Sequence, residues 1–273
     1  MNGHIKKHTL KKFEMSFPFY KYFQTNVRRS VLKWNSSYRR GLSVICEESV
    51  GNRIRRAEAV CFDVDSTIIT TEGIDELGAF LGKAEEVAEL TLSAMNGDLS
   101  FQDALSMRLQ LLEPSCTQIQ QLLEQNPPKL TPGIQILIDS LRSTGKTVFL
   151  VSGGFENMIV PVAQQLNIPL NNVFANRLLF NNDVDGTYYG FDRDAFTARA
   201  GGKAHVIRYI KEKYGFKDGV VMVGDGGTDY EARAEGAADV MIGYGGVIVR
   251  KIVQDNADMF IKEWGQFQDL LTE

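Results

Sequence analysis

Two carboxylates stand close together at the end of an apolar segment of this sequence. Asp63 and Asp65 follow Ala59–Phe62, and the period-two geometry of an extended chain directs both side chains to the same side. Two neighbouring carboxylates repel each other unless a cation lies between them or one of them is protonated. An isolated pair of this kind is also typical of a solvated turn, so its chemistry depends on which other groups reach the same place.

Further polar residues follow later apolar segments, and together they have the chemistry of a metal-assisted phosphate site. Carboxylate oxygens without a neighbouring histidine or cysteine suit a hard cation such as Mg²⁺. A lysine and a Ser-Gly-Gly segment with accessible backbone N–H groups suit a phosphate. The residues concerned are Ser152, Gly153, Gly154, Lys203, Asp225 and Asp229.

The elements that position these residues are predicted to be buried strands and the helices between them. Continuous apolar runs are typical of strands that are covered on both faces of a parallel sheet. These runs are 59–62, 147–151, 220–223 and 238–242. The helices predicted after them are 134–144, 155–167, 203–214 and 247–256. The alternation predicts an α/β fold with a doubly wound parallel sheet, in which ligands bind beyond the carboxyl ends of the strands.

Residues 71–130 interrupt this alternation and predict a small helical cap inserted after the first strand. Ser100 and Ser115 have the residue type and the position of helix N-caps. The helices predicted in the cap are 73–81, 84–95, 101–112 and 117–124. A hairpin around Asp185-Gly186 is predicted as a second insertion within 176–192.

Four motifs, taken in order, resemble those of the haloacid dehalogenase superfamily. They are Asp63-Val-Asp65-Ser-Thr67, Ser152-Gly153-Gly154, Lys203 and Gly224-Asp225-Gly-Gly-Thr-Asp229. Most members of that superfamily are Mg²⁺-dependent phosphohydrolases that work through an aspartyl phosphate. Over roughly 57–273 the chain is similar in particular to members that hydrolyse O-phospho-L-serine, a small-molecule substrate, in the last step of L-serine biosynthesis. The resemblance implies a Rossmann-like core with a cap.

The resemblance also implies a role for each matching residue of the core. Asp63 is expected to be the nucleophile, and Asp65 the general acid and then the general base. The expected ligands of Mg²⁺ are Asp63, the backbone carbonyl of Asp65, and Asp225, with Asp229 in support. The phosphoryl group is expected to be bound by Ser152, Gly153, Gly154, Lys203 and Thr228.

In the cap, the resemblance assigns residues to the amino-acid part of the substrate. Glu72 is expected to bind the ammonium group and Arg108 the carboxylate, with Met95, Asn96 and Phe101 lining the pocket. Asn96 stands where the superfamily usually has glycine, and this makes close approach of the backbone to the substrate less favourable there.

Plainer interpretations of the cap residues stay open. Arg108 lies beside the apolar stripe that contains Leu105 and Leu112, where a guanidinium either meets an anion or extends to solvent. Glu72 is also typical of an exposed acid at a helix N-terminus. Met95 and Phe101 would be ordinary core residues without the resemblance.

Three other functions are alternatives at this point. The same chemistry can act on another small phosphomonoester, such as a phosphorylated amino alcohol. A non-catalytic Mg²⁺- or phosphate-binding module is disfavoured, because the chain keeps both the nucleophile and the lysine. A nucleotide-binding Rossmann protein is disfavoured because Gly224-Asp225-Gly226 lacks the full glycine spacing.

Composition and charge divide the chain into two unequal parts. The 273 residues are 44% hydrophobic and 23% charged, which excludes whole-chain disorder and a collagen-like sequence. Residues 1–56 contain 13 Lys and Arg against 3 Asp and Glu, whereas 57–273 contain 17 against 31. The predicted organisation is a basic extension over 1–56, a catalytic core over 57–70 and 131–273, and a cap over 71–130.

The extension leaves the compartment open between two alternatives. Three widely spaced cysteines without a CxxC pattern favour a reducing compartment, and we expect the cytoplasm. A basic, acid-poor segment is also typical of a mitochondrial presequence or a polybasic tail, or it has no role. We expect no nucleic-acid or membrane partner, and members of this superfamily are often dimers, so a homodimer is an alternative to a monomer.

Overall fold

The computed structural model describes residues 50–95 and 100–272, in which six strands form one parallel sheet. The sheet strands are β1 (Ala59–Phe62), β2 (Thr147–Phe155), β3 (Val173–Asn176), β6 (Val220–Gly224), β7 (Val240–Tyr244) and β8 (Met259–Ile261). Their order is β3-β2-β1-β6-β7-β8, and each neighbouring pair is parallel. The prediction of a doubly wound α/β fold is confirmed.

Helices cover both faces of this sheet, which explains why its strands are continuous apolar runs. They are α5 (Ile134–Ser143), α6 (Glu156–Gln165), α7 (Gly202–Tyr214), α8 (Gly227–Ala234), α9 (Lys251–Asn256) and α10 (Trp264–Thr272). Val60 and Phe62 of β1 are buried with α5, α6 and α10, whereas Ala59 and Cys61 are buried with α7 and α8. Alternate residues of the central strand therefore stabilise opposite layers.

Four helices and a hairpin complete the described fold. The helices are α1 (Gly73–Phe80), α2 (Ala84–Met95), α3 (Phe101–Leu112) and α4 (Cys116–Gln125), and the hairpin pairs β4 (Leu178–Phe180) with β5 (Tyr188–Phe191). They share a third apolar cluster that includes Leu77, Leu109 and Phe191. Both predicted N-caps are confirmed, because Ser100 and Ser115 accept hydrogen bonds from Asp103 N and Gln118 N.

Several elements differ from the prediction. The helix predicted over 247–256 begins only at Lys251, because Arg250 has extended backbone dihedral angles and its side chain turns toward the sheet edge. The strand predicted over 238–242 is β7, shifted by two residues. Strands β3 and β8 and helices α8 and α10 were not predicted. For the two strands the reason is their length, because three or four residues give little periodic signal.

The folded core extends further toward the N-terminus than the charge pattern indicated. Residues 50–56 are helical, and Val50 and Ile54 are buried in the main core. The carbonyls of Arg55 and Ala57, at the end of this helix, have no partner within the helix. The buried Lys146 Nζ donates hydrogen bonds to both of them. The described residues group into one compact unit. In the described part of the chain no helix has the length and hydropathy to cross a membrane.

Candidate active site

The turn after the central strand brings two carboxylates to one cavity. The Asp63 carboxylate follows β1 and accepts a hydrogen bond from Val64 N at 2.8 Å. Ser66 has a φ of 52°, in the left-handed region, and this tight turn returns the chain so that Asp65 lines the same cavity of about 780 Å³ as Asp63. A turn, and not the extended chain that the sequence pattern indicated, therefore brings both carboxylates to one cavity.

Asp65 lies in surroundings that favour its protonated form. Its Oδ1 accepts a hydrogen bond from Gly73 N at 3.1 Å. Burial, together with the negative charges of Glu72 and Asp63, raises the pKa of Asp65 to about 8. A Cβ at Gly154 would lie 2.9 Å from Asp65 Oδ2, so a glycine is required where this carboxyl group meets β2. A carboxyl group that keeps its proton near neutral pH can act as a general acid.

Lys203 joins two of the carboxylates. Its Nζ lies 2.8 Å from Asp63 Oδ2 and 2.7 Å from Asp229 Oδ1, and the side chain is buried near the start of α7. Burial alone lowers the pKa of Lys203, but the carboxylates of Asp229 and Asp63 outweigh it and raise that pKa. The ammonium group is therefore charged and fixed beside Asp63.

Three buried carboxylates meet at the carboxyl ends of β1 and β6. Oxygen atoms of Asp63, Asp225 and Asp229 lie within 4.8 Å of one another. A Cβ at Gly224 would overlap the carboxylate of Asp229, so only glycine permits this approach. Burial raises the pKa of Asp225 and of Asp229, although the positive charges of Arg250 and Lys203 oppose these shifts. This set of hard oxygen donors fits a divalent cation such as Mg²⁺.

Polar groups suited to a phosphate come from the end of β2 and from the helix that follows β6. Ser152 is buried, and its Oγ accepts a hydrogen bond from Gly154 N at 2.9 Å. Gly153 and Gly154 line the cavity together with Thr228, at the start of α8. The structure thus brings these four predicted residues to the same edge of the sheet as Lys203 and Asp63.

The cavity continues to charged residues of the helices between β1 and β2. Glu72 accepts hydrogen bonds from Ser66 Oγ at 2.8 Å and from Arg250 Nη2 at 2.9 Å. Arg108 donates from Nε to Ala104 O and from Nη1 to Thr91 Oγ1. Burial lowers the pKa of Arg108, although nearby Asp75 and Glu72 oppose that shift. Both side chains line the cavity, where Arg108 is half-buried.

The remaining predicted residues of the cap are incompletely described. Asn96 lies outside the described residues. Met95 ends α2 and Phe101 begins α3, but the structure describes only their backbones. Their predicted contacts with substrate stay predictions.

Sequence reasoning missed three residues with contacts at this site. Arg250 Nε lies 2.7 Å from Asp225 Oδ2, and Asn176 and Thr197 form a buried pair behind Gly153. The position of Arg250 in the segment after β7 was a usable signal, because that segment leaves the sheet at the edge where the other polar residues meet. Asn176 lies in a short strand that the apolar pattern did not reveal.

The fold, the polar residues at the ends of β1, β2 and β6, and Lys203 at the start of α7 define a class of hydrolase. Residues 57–236 match the family model of "haloacid dehalogenase-like hydrolase", and the chain therefore belongs to this family. The family indicated by the four motifs is confirmed.

Named relatives narrow the resemblance within that family. Phosphoserine phosphatase of Mus musculus is 51% identical over 217 residues, which cover 80% of this chain and 93% of that protein. The chloroplastic phosphoserine phosphatase of Arabidopsis thaliana is 48% identical over 207 residues, covering 76% and 69%. A solved structure described as "Phospho-Aspartyl Intermediate Analogue of Phosphoserine phosphatase" is 27% identical with a TM-score of 0.64, covering 76% of this chain and 94% of that one.

Proposed function

We infer that this chain hydrolyses O-phospho-L-serine to L-serine and phosphate, the last step of L-serine biosynthesis. The observation that carries the inference is a single cavity lined by Asp63 and Lys203 and also by Glu72 and Arg108. The substrate has a phosphate, an ammonium and a carboxylate group. A lysine, a carboxylate and a guanidinium are the complementary partners of these three groups.

We assign the chemistry to Asp63 and Asp65. The Asp63 carboxylate attacks phosphorus, a bond forms between its oxygen and phosphorus, and the bond from phosphorus to the serine oxygen breaks. Asp65 gives its proton to that serine oxygen, and L-serine leaves. Asp65 then takes a proton from water, whose oxygen attacks the aspartyl phosphate, so that phosphate leaves and Asp63 is regenerated. The raised pKa of Asp65 supports its first role.

We propose that Mg²⁺ is the cofactor, held by Asp63, Asp225 and the backbone carbonyl of Asp65, with Asp229 in support. When bound, the ion supplies positive charge to the transferring phosphoryl group. Support for this proposal is the group of three buried carboxylates within 4.8 Å of one another. Lys203 holds Asp63 in place from the side, through an ion pair of 2.8 Å.

We propose that the phosphoryl oxygens are bound by residues from the end of β2, from the helix that follows β6 and from the start of α7. They are Ser152, Gly153, Gly154, Lys203 and Thr228. Backbone N–H groups and an ammonium group fixed before the reaction stabilise developing negative charge without reorganising. In this arrangement, positioning and charge account for most of the rate acceleration.

We propose that residues 71–130 form the substrate-selecting cap, and that 57–70 and 131–273 form the catalytic core. Glu72 binds the substrate ammonium and Arg108 its carboxylate, with Met95, Asn96 and Phe101 as further contacts. Because residues 50–56 pack into the core, we move the start of the core to about residue 50.

The test is phosphate release from O-phospho-L-serine in the presence of Mg²⁺. We expect Asp63→Asn to abolish turnover, by about 10⁴-fold or more, because no carboxylate nucleophile remains. Asp139 of α5 is exposed and does not line the cavity, so Asp139→Asn is the matched control, and this variant should keep full activity. Wild-type turnover no faster than that of the folded Asp63→Asn variant would refute the proposal.

We propose a cytoplasmic enzyme that acts alone on a small molecule, with a homodimer as the alternative assembly. The buried thiol of Cys61 supports a reducing compartment. The mitochondrion is the alternative if residues 1–49 act as a presequence, as the chloroplastic relative from Arabidopsis illustrates for another organelle. The start of the mature chain, measured by mass spectrometry of cell fractions, decides: an intact Met1 in the cytosol would exclude targeting.

A further inference from the structure

The end of β2 separates from β3 at the residues that face the cavity. The two strands pair at Val151–Phe174, and pairing resumes at Phe155–Asn176. Between these points β2 contains three residues, 152–154, whereas β3 contains one. This irregularity takes the Ser-Gly-Gly segment out of the ladder, so its peptide groups need other partners.

The side chain of Asn176 supplies one of these partners. It is fully buried, and its Nδ2 donates to the carbonyl of Gly153 at 2.7 Å. In a trans peptide the carbonyl and the following N–H point in opposite directions. The Gly154 N–H therefore points away from Asn176, and it donates to Ser152 Oγ at 2.9 Å. Asn176 therefore fixes the direction in which the Gly154 N–H points.

Thr197 fixes the orientation of the Asn176 amide in turn. The Thr197 hydroxyl is buried and donates to Asn176 Oδ1 at 2.9 Å, which leaves the amide nitrogen facing Gly153. The turn of residues 196–198 also contacts the start of α7, since a Cβ at Gly202 would overlap the Phe196 carbonyl. The next residue of that helix is Lys203.

We propose that Asn176, oriented by Thr197, is a positioning residue for the phosphoryl group. It links the Ser152-Gly153-Gly154 segment to the beginning of the helix that carries Lys203, and so it sets the spacing of the two groups that receive the phosphoryl oxygens. The identity of this ligand rests on the proposed function. The contacts of Asn176 and Thr197 do not.

A matched control lies immediately before β3. Asn172 also donates from Nδ2 to a carbonyl of β2, that of Val148 at 3.0 Å, but at the end of β2 remote from the cavity. The experiment compares Asn176→Ala with Asn172→Ala by calorimetric titration of inorganic phosphate at fixed Mg²⁺, and by kcat and KM with O-phospho-L-serine. The free energy of unfolding of each variant is measured in urea.

We expect Asn176→Ala to weaken phosphate binding and to raise KM by roughly ten- to a hundredfold, the range typical of residues that orient a ligand-binding group. Asn172→Ala should lose stability without a change in phosphate affinity. Thr197→Val should act in the same direction as Asn176→Ala, and Thr197→Ser should restore binding, because it keeps the hydroxyl. The affinity for Mg²⁺ alone should not change in any of them.

Unchanged phosphate affinity in the folded Asn176→Ala variant would overturn the proposal. It would show that the hydrogen bond from Asn176 to Gly153 has only a structural role. If that variant does not fold, Thr197→Val and Thr197→Ser decide, and equal phosphate affinity in the two would overturn the proposal. Failure of the proposed function has a different signature: the wild type would bind phosphate but would not turn over O-phospho-L-serine.

Discussion

Arg250 forms an ion pair of 2.7 Å with Asp225, the carboxylate at the end of β6. Arg250 also donates to Glu72 at 2.9 Å, so one guanidinium joins a proposed metal ligand to the proposed partner of the substrate ammonium. Its side chain is 29% exposed, and solvent therefore screens the pair in part.

Arg250→Met should strengthen the binding of Mg²⁺ in the absence of substrate. The guanidinium competes with the ion for Asp225, and its removal should lower the Kd for Mg²⁺ by about fivefold, which corresponds to about 1 kcal/mol. Isothermal titration with Mg²⁺ measures this directly. Lys251→Met removes the same charge from the next residue, whose side chain is 86% exposed, and should leave the Kd unchanged. A weaker Kd in Arg250→Met would contradict the competition.

Arg108→Met should change selectivity rather than general activity. O-phospho-L-serine has a carboxylate and phosphoethanolamine does not, so only the first substrate loses a partner. We expect kcat/KM for O-phospho-L-serine to fall about 30-fold or more, in line with about 2 kcal/mol or more for one desolvated charged hydrogen bond. The kcat/KM for phosphoethanolamine should stay the same. Equal losses for both substrates would show that Arg108 acts on the fold of the pocket.

Asp258 should make the stability of the chain depend on acidic pH. Arg233 donates to both of its oxygens, at 2.5 and 3.0 Å, and Met241 N donates at 2.8 Å. Burial raises the pKa of Asp258, but these hydrogen bonds outweigh it and lower that pKa in the folded chain. The stabilisation is therefore present above the unfolded pKa of about 3.9 and is lost as the pH falls through the folded pKa.

Urea denaturation of Asp258→Asn tests this sign. At pH 7 we expect a loss of about 1–2 kcal/mol in the free energy of unfolding, and at pH 3 the difference from wild type should shrink. Asp194 forms an exposed ion pair with Arg199, and Asp194→Asn is the matched control that should be neutral at both pH values. If Asp258→Asn lowers the free energy of unfolding equally at pH 7 and at pH 3, protonation of this carboxylate does not contribute to the pH dependence of stability.

Thr131 should be a stabilising residue at the return from α4 to the core. Its hydroxyl donates to the carbonyl of Thr67 at 2.9 Å and accepts from Trp264 Nε1 at 2.9 Å, all in buried surroundings. Thr131→Val leaves both groups without a partner and should cost about 1–3 kcal/mol, whereas Thr131→Ser should cost less than Val. Urea denaturation gives both values, and a larger loss in Ser than in Val would attribute the effect to the methyl group instead of the hydroxyl.

Prediction from the sequence was most successful for features that are determined by the residues of a single short chain segment. Asp63 and Asp225 each follow an uninterrupted apolar run, and parallel strands bring such residues to one edge of a sheet whatever the connections between them. The N-caps at Ser100 and Ser115 are equally local, because each hydrogen bond spans three residues.

The residues that escaped prediction depend on distant parts of the chain. Arg250 meets Glu72 across 178 positions, and Asn176 meets Gly153 across 23. Neither pair follows from periodicity, since the contact exists only after β3 and the segment following β7 have taken their places. The start of α9 at Lys251 has the same cause, because the side chain of Arg250 turns toward Asp225.

The contact between Gly224 and Asp229 restricts the substitutions that this chain can tolerate. Any side chain there would overlap the carboxylate of Asp229, which is itself fixed by the ammonium of Lys203. A substitution at Gly224 is therefore tolerated only after Asp229 has already been lost, and a single-site library should contain no functional replacement at either position. We expect substitutions to be tolerated at many helical positions of this chain, but not at Gly224 or Asp229.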